Sequence, residues 1–149
     1  MYMSKKYRVI FVFSVFAFVF GVIVGGNVRF ASDAQAQTPQ KIFELRTYTT
    51  HPGRLAELHS RFADHTVSLF ERHGMTNIGY FQPSDSPLSE NTLIYLLAHD
   101  SREAAVASWA DFRADPDWLS ASEESRRNGR LVQNVESVFL DATYYSKIK

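Results

Sequence analysis

Beyond residue 40 the chain alternates between two hydrophobic periods. Ile42 to Thr50 (IFELRTYTT) is rich in β-branched and aromatic residues and predicts a strand, which His51-Pro52-Gly53 breaks. From Arg54 to His73 the residues Leu55, Leu58, Phe62, Leu69 and Phe70 recur at helical spacing. Glu57, Arg61, Asp64, Ser68 and Glu71 stand opposite, so this is one amphipathic helix, stopped by Gly74. Met75 to Gln82 predicts a strand that Gly79 weakens, and a loop (PSDSPLSEN) follows. Thr92 to His99 (TLIYLLAH) is apolar enough for the centre of a sheet. Arg102 to Ala114 predicts a second helix, capped by Asp100 or Ser101, with Ala105, Trp109 and Phe112 along one side. Asp115-Pro116 ends it and opens a short helical turn, with Asp115 as its cap. The polar run SEESRRNG closes at Gly129, and a last strand spans Val132 to Ala142. The order β-α-β-β-α-β predicts an α+β, ferredoxin-like fold, a four-stranded antiparallel sheet with two helices on one face.

The N-terminus follows a different pattern. Lys5, Lys6 and Arg8 precede an unbroken apolar run over residues 9–26, and Ala34-Gln35-Ala36 follows. A basic head, an apolar middle and a small-residue end make residues 1–36 a signal peptide cleaved after Ala36. The length of the run also suits a membrane anchor that stays attached. Either outcome places the domain outside the cytoplasm, periplasmic or secreted in the first case and tethered by residues 9–26 in the second. Residues 37–40 then read as a linker, and 41–146 as the folded domain.

Cleavage changes the charge balance. The whole chain carries 16 basic and 16 acidic residues; without residues 1–36 it keeps 12 and 15. A net charge of −3 on the remainder gives no basic field, which argues against a nucleic-acid partner. There is no cysteine, so neither a disulfide nor a thiolate metal site is available. A small domain held by its core alone benefits from a second subunit.

Candidate chemistry is sparse. In the first strand Ile42, Glu44, Arg46 and Tyr48 share one face, and Phe43, Leu45, Thr47 and Thr49 the other. The second face is the more apolar, so it is expected under the helices, with Glu44, Arg46 and Tyr48 turned away. There they would form an ion pair supporting the sheet or a dimer contact, or meet a ligand. On the last strand Glu136 is expected on the same open face, beside Asn134 and Val138. His59, His65 and His73 lie on or beside the apolar stripe of the first helix. Their separations are too long for chelation from one helix, so no metal is expected. Trp109, Phe112 and Trp118 are expected to pack the second helix on the sheet, or else to wall an apolar ligand. Tyr48, Tyr80 and Tyr95 recur on successive strands and could line a pocket. Arg46, Tyr48, His65, Tyr80 and Tyr95 are therefore the candidate ligand-binding residues. No catalytic residue is assigned, because no phosphate loop, GxSxG, HExxH or CxxC occurs.

Seven segments stand in order: FELRTYT at 43–49, PGRL at 52–55, ERHGM at 71–75, IGYF at 78–81, NTLIYLLAH at 91–99, REAAVASWADFRADPDW at 102–118 and VESVFL at 135–140. Together they resemble the NIPSNAP family over roughly Lys41 to Tyr145. The resemblance implies a dimeric α+β barrel and a module with no settled biochemical activity. The export leader and the single domain copy set this chain apart from the family's mitochondrial members.

Two functional readings follow. One is an exported homodimeric module that binds a protein partner or a small apolar ligand, with no cofactor, touching a membrane only through an uncleaved leader. The other is a small cofactor-independent enzyme, oxygenase-like, acting on an apolar or aromatic compound.

Overall fold

The computed structural model describes residues 40–149. The leader, its cleavage point and all of the linker but Gln40 lie outside the described residues. No helix among the described residues is long and apolar enough to cross a membrane.

Strand β1 (Ile42–Thr50) leads into a helical rod of three parts: α1 (Leu55–Arg61), a π-helical turn (Phe62–Thr66) and α2 (Val67–Arg72). Strand β2 (Thr76–Phe81), a 3-10 turn (Leu88–Glu90) and strand β3 (Thr92–His99) follow. Helices α3 (Arg102–Ala114) and α4 (Pro116–Glu124) then lead to strand β4 (Val132–Asp141). The sheet order is β2-β3-β1-β4, every neighbour antiparallel, as the ferredoxin-like order requires.

The local signals explain most boundaries. The Ser101 hydroxyl accepts from the Ala104 amide at 3.1 Å and starts α3. The Asp115 carboxylate accepts from the Asp117 amide at 2.8 Å, with Pro116 at the first position of α4. This segment, expected as a short turn, is a nine-residue helix. Gly74 at φ 75° ends the rod in the left-handed conformation.

The π turn changes the phase of the rod. An ideal helix would bring His65 onto the apolar stripe below Phe62. The wider turn instead buries Thr66 and swings His65 into solvent. The Thr66 hydroxyl donates to the Arg61 carbonyl at 3.1 Å, where the regular ladder is interrupted. His59 and His73 stay half-buried.

The face assignment of β1 is the reverse of the expectation. Glu44, Arg46 and Tyr48 point toward the helices, and Ile42 shares their side. Leu45, Thr47 and Thr49 lie on the open face with Ile94, Leu96, Val138 and Leu140. Polar groups can lie under the helices because side chains there satisfy them, as described below. Glu136 and Val138 do lie on the open face, but Ile42, Glu44, Arg46 and Tyr48 do not.

Phe62, Phe70, Tyr95, Leu97, Trp109 and Phe112 centre the core between helices and sheet. On the open face a β-bulge separates Asn77 from Gly79, and the Phe81 ring folds back over Gly79. A Cβ at Gly79 would lie 2.8 Å from the tip of that exposed ring, which would have to move aside to admit it. The C-terminal segment crosses one corner of the same face, where Ser146 and Ile148 shelter Phe43.

Candidate functional site

The site is built on β1. Glu44 is 1 % exposed, yet each of its oxygens accepts two hydrogen bonds. Oε1 accepts from Arg46 Nη1 at 2.7 Å and Ser137 Oγ at 2.6 Å. Oε2 accepts from Trp109 Nε1 at 2.7 Å and His99 Nε2 at 3.1 Å. Four elements meet at one carboxylate: Arg46 from β1, His99 from β3, Trp109 from α3 and Ser137 from β4. Burial pushes the Glu44 pKa up, but the bonds from His99, Ser137, Trp109 and Arg46 outweigh it and hold the pKa at about 2. Because a carboxylate only accepts, His99 must carry its hydrogen on Nε2, which leaves Nδ1 buried without a partner.

Arg46 is fixed twice. Its guanidinium bonds Glu44 and lies 4.3 Å from the Trp109 ring centroid and 5.6 Å from that of Tyr48. Its Nε is buried and unpartnered. Beside it the Tyr95 ring packs at 5.3 Å from Tyr48, 5.6 Å from Tyr80 and 5.2 Å from Phe62. The Tyr95 hydroxyl is buried beside Tyr48 and Arg46 and makes no hydrogen bond of good geometry among the described residues. Burial, with Tyr48 nearby, pushes its pKa well above the ordinary phenol value, against the opposing charge of Arg46. Burial likewise raises the pKa of Tyr80, whose hydroxyl donates to Asn77 Oδ1.

Of the candidate residues, Tyr48, Tyr80 and Tyr95 converge around Phe62, with Arg46 against Tyr48 and Trp109. His65 does not; the π turn turns it outward into the grooves beside α4. Trp109 packs as expected and also donates a hydrogen bond. His99 and Ser137 carried no expectation from the sequence. Ser137 could have been found, because it interrupts the apolar face formed by Val135 and Phe139. Arg61, read as solvent-facing, is 8 % exposed and stacks 5.1 Å from the Trp118 ring centroid. Burial lowers its pKa, a shift that Tyr48 and Tyr95 oppose. Among the described residues no three His, Asp or Glu side chains are grouped to hold a metal ion.

This arrangement has two chemical capacities. The ionised Glu44 is saturated by donors and positions its neighbours. Arg46 Nε and the Tyr95 hydroxyl lie near one another inside an aromatic shell, each without a well-aligned hydrogen bond among the described residues.

Comparison with known proteins shows what the architecture is similar to. A NIPSNAP family protein of unknown function from Agrobacterium tumefaciens str. C58 superposes with a TM-score of 0.65 at 22% identity, covering 75% of this chain and 96% of that one. An uncharacterized NIPSNAP-like domain protein from Burkholderia xenovorans gives a TM-score of 0.63 at 21% identity, covering 72% and 90%. At such identities the likeness shows the fold. No curated protein matches the sequence. The NIPSNAP family model matches residues 43–147, most of the chain, and its span takes in Glu44, Arg46 and the donors around them. The chain belongs to the NIPSNAP family.

Proposed function

We propose that the domain is an exported homodimeric module that binds a small aromatic or apolar ligand between its helices and its sheet. The observation that carries the ligand reading is the pair of unpartnered donors, Arg46 Nε and the Tyr95 hydroxyl, within the rings of Tyr48, Tyr80 and Trp109. A few fixed polar groups in an apolar lining are the makeup of a small-molecule site. Phenol supplies both complements, a ring and an acceptor oxygen. Calorimetric titration of the chain beginning at Gln37 should show phenol binding, weakened about tenfold or more in Tyr95→Phe. Absence of binding, or an unchanged affinity in that variant, overturns the reading.

Dimerisation is supported by the open face of the sheet. Val138 is 54 % exposed and Leu140 39 %, with Leu45, Ile94 and Leu96 half-buried alongside. A two-fold contact would cover this apolar surface. Sedimentation at micromolar concentration should give twice the subunit mass, and a monomer there sinks the proposal. Export is supported by the basic head, apolar run and Ala34-Gln35-Ala36 of the sequence. N-terminal sequencing of the exported protein should begin at Gln37, or within a few residues of it. A membrane-bound product that keeps Met1 would support the anchor instead.

A further inference from the structure

Arg61 closes α1 and is more than nine-tenths buried. Its Nη1 donates to Ser125 Oγ at 3.3 Å, and its Nε has no partner. No carboxylate among the described residues comes within 4.0 Å of it. A buried cation normally has a counter-ion, because desolvation without one is costly. This arginine does not point into sealed core. It lines an open groove of about 350 Å³ between α1 with its π turn and α4. That is a volume suited to a small molecule.

The other charges on the groove set the character of the missing partner. Glu57, Asp64 and Glu124 also line it. Glu57 is paired with Arg54 at 3.0 Å and Glu124 with Arg127 at 3.6 Å, whereas Asp64 makes no ion pair among the described residues. Thus one unpaired cation is buried in the wall and one unpaired anion is exposed on the π turn, in the same groove. A simple carboxylic acid would satisfy the first and leave the second unused. A dicarboxylate would bring its far charge among the acids. An amino carboxylate satisfies both.

We propose that this groove binds a small amino carboxylate, its carboxylate on Arg61 beside Ser125 and its ammonium on Asp64. The site goes beyond the aromatic cluster of Arg46, Tyr48 and Tyr95 and uses none of those residues. It lies within one chain, so it is complete without a second subunit. Arginine suits the role because its planar fork can give a carboxylate two parallel N–H bonds.

The test is calorimetric titration of the full-length protein in mild detergent with 6-aminohexanoate, hexanoate and adipate. The expected order of affinity is 6-aminohexanoate, then hexanoate, then adipate. Arg61→Met, which keeps the apolar stem, should weaken 6-aminohexanoate at least tenfold. Asp64→Asn, at an exposed position, should weaken 6-aminohexanoate several-fold and leave hexanoate unchanged. No binding of 6-aminohexanoate, adipate binding as tightly, or an unchanged affinity in Arg61→Met overturns the proposal. If Arg61→Met does not fold, Asp64→Asn decides, and equal affinity for 6-aminohexanoate in that variant overturns it.

Discussion

The two faces of β1 have opposite characters, and the charged one is inside. Toward the helices stand Glu44, Arg46 and Tyr48; toward the open side stand Leu45, Thr47 and Thr49. The inner set is held by directional bonds from three other elements; the outer one packs Leu45 between Leu96 and Val138 and sets the threonines beside mixed polar and apolar neighbours. A charged residue is therefore buried or exposed according to whether its surroundings can complete its hydrogen bonds. Hydrophobicity summed along one strand does not contain that information.

The comparison can be broken most severely at Glu44. Glu44→Ala removes the shared acceptor of Arg46, His99, Trp109 and Ser137 and leaves buried donors behind. We expect a loss of about 3–5 kcal/mol of folding stability, measured by urea denaturation. A loss below about 1 kcal/mol would mean that the network is incidental.

Acid should reach the same group without mutation. The folded pKa of Glu44 is depressed from 4.5 to about 2, so its stabilisation is fully present above the unfolded value and is lost as pH falls toward 2. The shift corresponds to roughly 3 kcal/mol. Asp115, also held at about 2, chiefly by the hydrogen bond from His73, should contribute to the same decline. Denaturant midpoints between pH 6 and pH 2 should fall through this window in the wild type and more shallowly in Glu44→Gln.

On the opposite face the expected effect is on assembly. Val138→Asp places a charge in the proposed subunit contact and forfeits apolar burial of about 2 kcal/mol per copy. Sedimentation should show a monomer with unchanged circular dichroism. A wild-type-like dimer would exclude this face as the contact.

The smallest effect sharpens the view of the rod that covers the inner face. Thr66→Val keeps the shape but loses the bond to the Arg61 carbonyl. The expected cost is about 1 kcal/mol, seen as a lower denaturant midpoint.

Much of the fold was legible because its signals are local. The strand Thr92–His99 and the helix Arg102–Ala114 follow from composition, period and caps carried by their own residues. The three tyrosines and Arg46 were legible as a group because strand pairing brings them together. What escaped depended on distant partners or on a phase change. Glu44 looked solvent-exposed because Trp109 and Ser137, which bind it, lie 65 and 93 residues away. His65 was placed on the buried stripe, and Arg61 on the exposed one, by the assumption of an uninterrupted α-helical period. The wide turn overturns the first assignment; Arg61 lies before it and is buried because it stands one turn from Leu58 on the inward side of α1.

That turn acts as an extra residue inserted in a ruler. Each residue advances an α-helix by ~100°, so one surplus residue re-indexes every side chain after it. Upstream the rod presents Leu58 and Arg61 to the interior, and downstream Thr66, Leu69 and Phe70. Deleting one residue between Phe62 and Thr66 would remove the bulge, restore the regular spacing and leave both the upstream pair and the downstream trio facing the core. A rod one residue shorter here would keep its inward side chains and lose one of the three outward ones, Ala63, Asp64 or His65. The surplus residue therefore enlarges the outer surface, where Asp64 and His65 line the groove, and not the core.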